Sequence, residues 1–302
     1  MKNNNIKKLI FFLLLTLAMV FWGAAWVSGK IISGMANANV IVFWRFVMAF
    51  IALIPVVLLQ KQNLIIDYRK LFVIMLAAIF YIAYNQLFFK GLARGLAGAG
   101  GVLVTTTNPV FTHMLVLIFF KQKISANSII GLCLGVIGGI ILLKIWTFSP
   151  DQIFRHGNLY FLVASITWAF LSITSQKGQM SVTYLVYNFY LYLFASVFQS
   201  FFILSSDVFQ VFSLGTDFWL NLIYLSGIAM AFSSTIFIIA TNYLGSHKAS
   251  GFVFIIPFTA VFFSFIFLKE KPAWYTIIGG ILAVIAVYFI NMRKTPAKKL
   301  DT

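Results

Sequence analysis

The chain has 302 residues, of which 62% are hydrophobic and only 9% are charged, against about 25% charged in an ordinary soluble domain. A soluble globule of this size could not hide so much apolar surface beneath a polar shell, so the composition excludes a soluble fold. The net charge of +16 would suggest nucleic acid in a soluble protein. Here the basic residues fall between apolar stretches, with no basic patch or aromatic-interleaved stripe, and they read as topology determinants.

In a bilayer the backbone must satisfy its own hydrogen bonds, in helices or in a closed barrel. Barrel strands alternate apolar and polar residues, and this sequence does not, so an all-α integral membrane fold is expected. The single cysteine, Cys133, lies in an apolar stretch and reads as a small packing residue. It supports neither a disulfide framework nor a cysteine metal site.

Taken in chain order, Lys2, Lys7 and Lys8 precede an apolar run from Leu9 to Ser28. Ala36-Asn37-Ala38 resembles a signal-peptidase site, but the run is too long for a signal peptide and right for a span. Ten spans are expected, at 9–28, 40–59, 71–89, 97–120, 126–146, 157–176, 183–204, 218–240, 249–268 and 273–292. The connections are short, so any function lies within the bundle. With the N-terminus in the cytoplasm, fourteen of the Lys and Arg residues fall inside, seven fall outside, and Arg45 remains in span two. That bias predicts both termini on the cytoplasmic side.

A repeat is visible along the chain. Asn108-Pro109-Val110-Phe111, an apolar run, Lys-Gln-Lys and Ile-Ile-Gly recur as Ile256-Pro257-Phe258-Thr259, an apolar run, Lys-Glu-Lys and Ile-Ile-Gly. Pro109 to Pro257 and Gly131 to Gly279 keep one offset of 148. Trp22 matches Trp168, and Trp44-Arg45-Phe46 loosely matches Tyr187-Asn188-Phe189. Two five-helix halves, 1–146 and 147–302, follow. An odd number of helices inverts the second half, the plan of secondary transporters whose site lies at the midplane between halves.

The candidate site residues are polar, aromatic or helix-breaking groups within the spans. Thr107, Asn108 and Pro109 stand near the middle of span four. Polar groups in hydrocarbon must be paired or face water, and Pro109 frees a backbone carbonyl; threonines that bond back to their own helix are the bland alternative. Pro257 is the symmetric partner in span nine. His113, one turn after Pro109, is the one histidine embedded in a span and can change charge near neutral pH. It reads either as a proton site or as a packing residue. Arg45 either snorkels to the outer interface or meets an anionic group such as a substrate carboxylate. Trp22 and Trp26 are interface anchors or cavity walls. Tyr84, Asn85, Trp168, Ser172, Asn188 and Ser234 supply further polar groups, Asn85 and Asn188 above all, because an amide has four hydrogen-bonding sites to satisfy. Most of the 35 Phe residues must face lipid.

In spans five and ten, Gly131, Gly135 and Gly139, with Gly279 and Ala283, form small-residue faces that allow close helix approach. They are expected to pack helices and to support a homodimer. No paired carboxylates, Walker-type loop or metal-spaced cluster appears. The six acids, Asp67, Asp151, Asp207, Asp217, Glu270 and Asp301, fall in loops, termini or span ends. Neither catalysis nor a cofactor or metal is expected.

The run Phe21-Trp22-Gly23-Ala24-Ala25-Trp26, the pair Arg45-Phe46, the proline-centred spans four and nine and the glycine-rich spans five and ten resemble the EamA-type ten-helix proteins of the drug/metabolite transporter superfamily. The resemblance covers essentially the whole chain. It implies alternating access around a central cavity lined by spans one to four and six to nine, in a plasma (bacterial inner) membrane. Family members often export amino acids and other metabolites, while others import solutes or nucleotide-sugars. Two departures stand out. The family's acidic residue after span four is Gln122 here, although Glu270 keeps it after span nine, and the counterpart of Trp-Gly is Trp168-Ala169. An exporter of amino acids or related metabolites is therefore the first expectation. An importer of a charged metabolite such as S-adenosylmethionine or a nucleotide-sugar is the alternative, and a membrane enzyme or lipid-handling assembly factor the alternative of another class.

Overall fold

Apolar stretches of span length can satisfy their backbone in lipid only by internal bonding, and the computed structural model is built of helices joined by short connections, with no strand among the residues it describes. These are 2–120, 126–143, 157–179, 182–244, 252–253 and 255–291. The helices are α1 (Lys2–Ser33), α2 (Ala38–Leu59), α3 (Tyr68–Arg94), α4 (Ala97–Phe120) and α5 (Ala126–Leu143). They continue as α6 (Asn158–Gln179), α7 (Tyr184–Ser200), α8 over 216–244, α9 (Ile255–Leu268) and α10 (Trp274–Asn291). Five of the described helical stretches are long and apolar enough to cross a membrane, and the shorter apolar helices Ile129–Ile141, Ile255–Leu268 and Trp274–Ala286 accompany them. The chain is a multi-pass membrane protein.

Local chemistry sets the helix starts. The Asn37 side chain accepts from the Asn39 N–H before α2, and Asp67 accepts from Arg69 N–H before α3. Both satisfy donors that a helix start leaves unpaired. Glu270, from the α9–α10 connection, caps α4 from a distance: its two carboxylate oxygens accept from the N–H groups of Ala97 and Gly98 at 3.0 Å each. A negative group there also suits the helix dipole.

The helix ends depart from expectation at the charged residues. α1 runs on to Ser33, so Lys30 is a helical residue and not a loop one. Its ammonium donates to the Leu92 and Gly95 carbonyls at 2.6 and 2.8 Å, covering the end of α3. Lys90 and Arg94 likewise belong to the last turns of α3. The boundary expected at 146/147 and the departure at Gln122 lie outside the described residues.

Helix contacts come in matched couples. α2 packs on α7, α4 on α9 and α5 on α10. The pairing of α3 with α6 is mirrored by α1 with α8, that of α4 with α6 by α1 with α9, and that of α3 with α7 by α2 with α8. α2 and α7 run antiparallel: Gln199, at the end of α7, donates to the Asn39 carbonyl at the start of α2, and Thr183, before α7, donates to Gln62 after α2. The small-residue faces serve this packing. A Cβ on Gly135 would fall 2.5 Å from Val110 and 3.6 Å from Ala286, so α5 uses its glycine to seat α4 and α10 of the same chain. Cys133 is exposed on α5 and is not the packing residue expected of it.

Phe161 of α6 is fully buried and shows how closely α6 fits against α3 and α4. A Cβ on either Gly91 of α3 or Gly100 of α4 would stand 2.5 Å from its ring. The two missing side chains make the slot it fills.

α8 is not uniform. Between Thr216–Ile223 and Ser233–Leu244, residues Tyr224–Phe232 are π-helical, whereas its counterpart α3 is α-helical throughout. π-helical segments are rare and gather at functional sites, and this one forms part of the cavity wall.

Candidate functional site

A cavity of about 290 Å³ opens in the middle of the bundle, lined from α1, α2, α3, α4, α6, α7, α8 and α9. That volume stands at the lower edge of the roughly 300–1,000 Å³ typical of small-molecule sites. Trp22, Trp26, Tyr84 and Trp168 supply its flat walls. Tyr84 and Trp168 lie 5.2 Å apart, centroid to centroid, and Trp26 lies 4.7 Å from Phe88.

Arg45 is the cavity's one formal charge among the described lining residues. It is only 7% exposed, so it does not snorkel. Its Nη1 donates to the Asn85 Oδ1 at 2.8 Å, and its guanidinium lies 5.7 Å from the ring centroids of Phe88 and of Phe89. Faces of aromatic rings at that range attract a cation. Its Nε is buried with no hydrogen-bond partner. The described acids are elsewhere: Asp67 and Asp207 cap helices, Asp217 is in the first turn of α8, and Glu270 caps α4. A guanidinium stays charged at any physiological pH, so this cation faces the cavity uncompensated.

The other expected residues divide cleanly. Ser172, Asn188 and Ser234 line the cavity with Trp22, Trp26, Arg45, Tyr84 and Trp168. Asn188 of α7 approaches the Tyr192 hydroxyl at 3.4 Å, facing the cavity from the position that the repeat pairs with Arg45. Asn85 is fully buried behind Arg45 and does not line the space. Thr107, Asn108, Pro109, His113 and Pro257 also lie outside the lining. Thr107 donates to its own Leu103 carbonyl at 2.6 Å and meets Ser165 of α6 at 2.8 Å, while Asn108 donates to the Ser165 carbonyl at 3.2 Å. They join α4 to α6. Their neighbour Thr105 is the α4 residue that reaches the cavity, its hydroxyl bonded back to Gly101.

The sequence of the chain compares with known proteins over most of its length. The family described as EamA-like transporters matches residues 9–144 and again 155–292. The chain belongs to the EamA-like transporter family. It is 24% identical to an uncharacterized transporter of Archaeoglobus fulgidus, with 93% of this chain and 97% of that one covered. The uncharacterized transporter YoaV of Bacillus subtilis is 21% identical over 89% of this chain and 92% of its own. A WAT1-related chloroplastic protein of Arabidopsis thaliana is 22% identical over 90% of this chain and 67% of its own. A protein crystal structure superposes with a TM-score of 0.62 at 15% identity, covering 92% of this chain and 94% of that one. That likeness concerns the fold.

In this EamA-like chain, the polar cavity residues missing from the expected set are mostly tyrosines: Tyr81 on α3, and Tyr184, Tyr187 and Tyr192 on α7. A signal was present. Tyr81, Tyr84 and Phe88, like Tyr184, Asn188 and Tyr192, recur at spacings of three and four, one face of a helix. A tyrosine hydroxyl in hydrocarbon needs a partner, which distinguishes these positions from the many lipid-facing phenylalanines. Tyr187 donates to Ser175 at 2.7 Å and Tyr192 to the Met230 carbonyl at 3.4 Å.

Proposed function

We propose that this protein is a secondary transporter of small organic solutes bearing an anionic group, of the amino-acid or related metabolite class, and that it works by alternating access. The carrying observation is Arg45: a buried, permanently charged guanidinium facing a cavity in which no carboxylate answers it among the described residues. Removing one partner of a buried ion pair is strongly destabilising, so a cation kept without a fixed partner is suited to a mobile one. A 290 Å³ cavity favours an amino-acid-sized solute over a nucleotide-sugar. The matched helix couples and the antiparallel α2–α7 pair support ten spans in two inverted halves that rock about the site. The basic residues favour cytoplasmic termini in a plasma membrane, and export of the solute from the cell follows from the family resemblance.

The test is counterflow in proteoliposomes against pools of amino acids and small organic acids. One or more anionic or zwitterionic solutes should exchange, and Arg45→Gln should abolish that exchange in protein that still purifies as a folded species. Unchanged exchange in Arg45→Gln, or exchange confined to cations, would remove the reading.

A further inference from the structure

No fixed group balances the charge of Arg45. Its guanidinium is 7% exposed and rests on neutral partners, the Asn85 Oδ1 at 2.8 Å and the rings of Phe88 and Phe89. The titratable groups that act on it electrostatically are the phenols of Tyr81, Tyr84 and Tyr192, and a phenol is neutral at physiological pH. No carboxylate lines the cavity among the described residues. A buried charge without a partner is strongly destabilising. That cost falls on the protein whenever no solute is bound.

Two donors stand where a small anion could offset it. In the guanidinium, Nε is sealed, whereas Nη2, which has no hydrogen-bond partner among the described residues, is not. Arg45 therefore meets the cavity through its terminal nitrogens. The second donor is Tyr84, which lines the cavity. Its ring contacts Tyr81, Phe88 and Trp168, and its hydroxyl has no hydrogen-bond partner among the described residues. Tyr84 and the guanidinium both pack on Phe88, so the free hydroxyl and the cation share one wall. Charge balance then sets the valence. One cation among neutral groups offsets one negative charge, whereas a dianion such as sulfate would leave a net charge buried and cost more to dehydrate. Resting on the reading that Arg45 receives the solute's anionic group, we infer that Arg45 and Tyr84 form a site for a monovalent inorganic anion of the halide class. The solute-free carrier holds that anion, and the solute's anionic group displaces it. A halide there neutralises the guanidinium while the carrier returns without solute.

The experiment uses the full-length protein in detergent, free of added solute. Chloride is titrated in place of sulfate at constant ionic strength, so that screening does not change. Tryptophan fluorescence reads binding, because Trp22, Trp26 and Trp168 line the cavity, and thermal melting reads stability. Chloride should give a saturating fluorescence change and raise the melting temperature, as a ligand of the folded state does. Arg45→Gln should lose both responses, and Arg45→Lys, which keeps the charge, should retain them at lower affinity. Tyr84→Phe keeps the ring and should bind chloride about tenfold or more weakly, the loss of one hydrogen bond to a charged group. Acetate, the simplest carboxylate, should compete with chloride, each lowering the other's apparent affinity. Identical behaviour of wild-type protein in chloride and sulfate overturns the anion site; if solute exchange is still lost in Arg45→Gln, the reading of Arg45 survives. Chloride responses that persist in Arg45→Gln, or wild-type affinity in Tyr84→Phe, overturn the residues assigned. Additive responses to chloride and acetate overturn the shared site, and with it the reading that Arg45 receives a carboxylate.

Discussion

The indole Nε1 of Trp22 donates to the backbone carbonyl of Ala229 at 2.7 Å, joining α1 to the π-helical stretch of α8 across 207 residues. Tyr192 of α7 reaches the neighbouring Met230 carbonyl, and Tyr224, at the start of the same stretch, donates to the Phe21 carbonyl on α1 at 2.8 Å. Three side-chain bonds thus tie α1, α7 and the π-helical segment together beside the cavity.

Trp22→Phe keeps an aromatic ring, smaller than the indole that packs 5.4 Å from Phe237, and deletes the donor to Ala229. A single hydrogen bond contributes about 1 kcal/mol, so the variant should melt a few degrees lower. Because the bond lies in the cavity wall, the maximal exchange rate should fall more than apparent solute affinity. A melting curve and initial exchange rates at several solute concentrations check this. A rate identical to wild type would show that the contact is structural only.

The slot around Phe161 gives a stability prediction. Gly100→Ala places a methyl group 2.5 Å from the Phe161 ring, and overpacking of this kind costs about 1–3 kcal/mol. Phe161→Leu in the same chain should return part of the loss, since a smaller side chain vacates the space. The pair forms a double-mutant cycle, read by thermal melting. Additive effects of the two changes would mean that α4 shifts away and the ring does not bear the clash.

Much of this was legible in the sequence, and the failures have physical causes. Arg45 stood out because a lone cation in hydrocarbon needs an explanation, Trp22 and Trp168 because the repeat pairs them, and Trp26 because it shares a span with Trp22. The polar run at 105–109 was visible too, but helix phase decides which of its members faces the cavity. Thr105 does, while Thr107 and Asn108, at 200° and 300° around the helix at ~100° per residue, meet Ser165 instead. Lys30 falls beyond the span expected at 9–28 because a charge closes an apolar window, although its ammonium has backbone carbonyls to satisfy it within the protein. The π-helical stretch leaves no mark in the sequence, since Tyr224–Phe232 is an ordinary apolar run and the bonding pattern is imposed by what packs against it.

Beyond Arg45, towards the ends where α1 and α3 finish, a chain of amides closes the bundle. Gln86 donates to Gln199 at 3.1 Å, Gln199 to the Asn39 carbonyl at 2.9 Å, and Asn39 to the Phe202 carbonyl at 3.4 Å. In alternating access such bonds belong to one state. Gln199 is fully buried, and Gln199→Leu would strand the Gln86 amide and the Asn39 carbonyl at about 1–3 kcal/mol, shifting the population towards the state open on that side. In a chain carrying Cys133→Ser and Ala25→Cys, an impermeant maleimide applied from outside should label several-fold faster once Gln199→Leu is added. Equal labelling would mean that the amide chain does not gate.

The last prediction concerns energy coupling. A proton-driven carrier needs a titratable group that both sides of the membrane reach in turn, and among the described residues no carboxylate lines the cavity. Arg45 cannot serve, because it holds its proton throughout the physiological range. His113, half-buried on α4, carries the side-chain type whose unperturbed charge change falls between about pH 5 and 8. It lies two turns along α4 from Thr105, the residue through which that helix reaches the cavity, and outside the lining itself. A proton held there would neither touch the solute nor neutralise Arg45. Transport should therefore be downhill or solute-exchanging, and His113→Asn should leave its pH dependence unchanged. The measurement is accumulation driven by an imposed pH gradient and solute exchange, side by side in vesicles of the same preparation. If His113→Asn abolishes gradient-driven accumulation and spares exchange, histidine is the proton site and coupling runs through α4, not through the cavity.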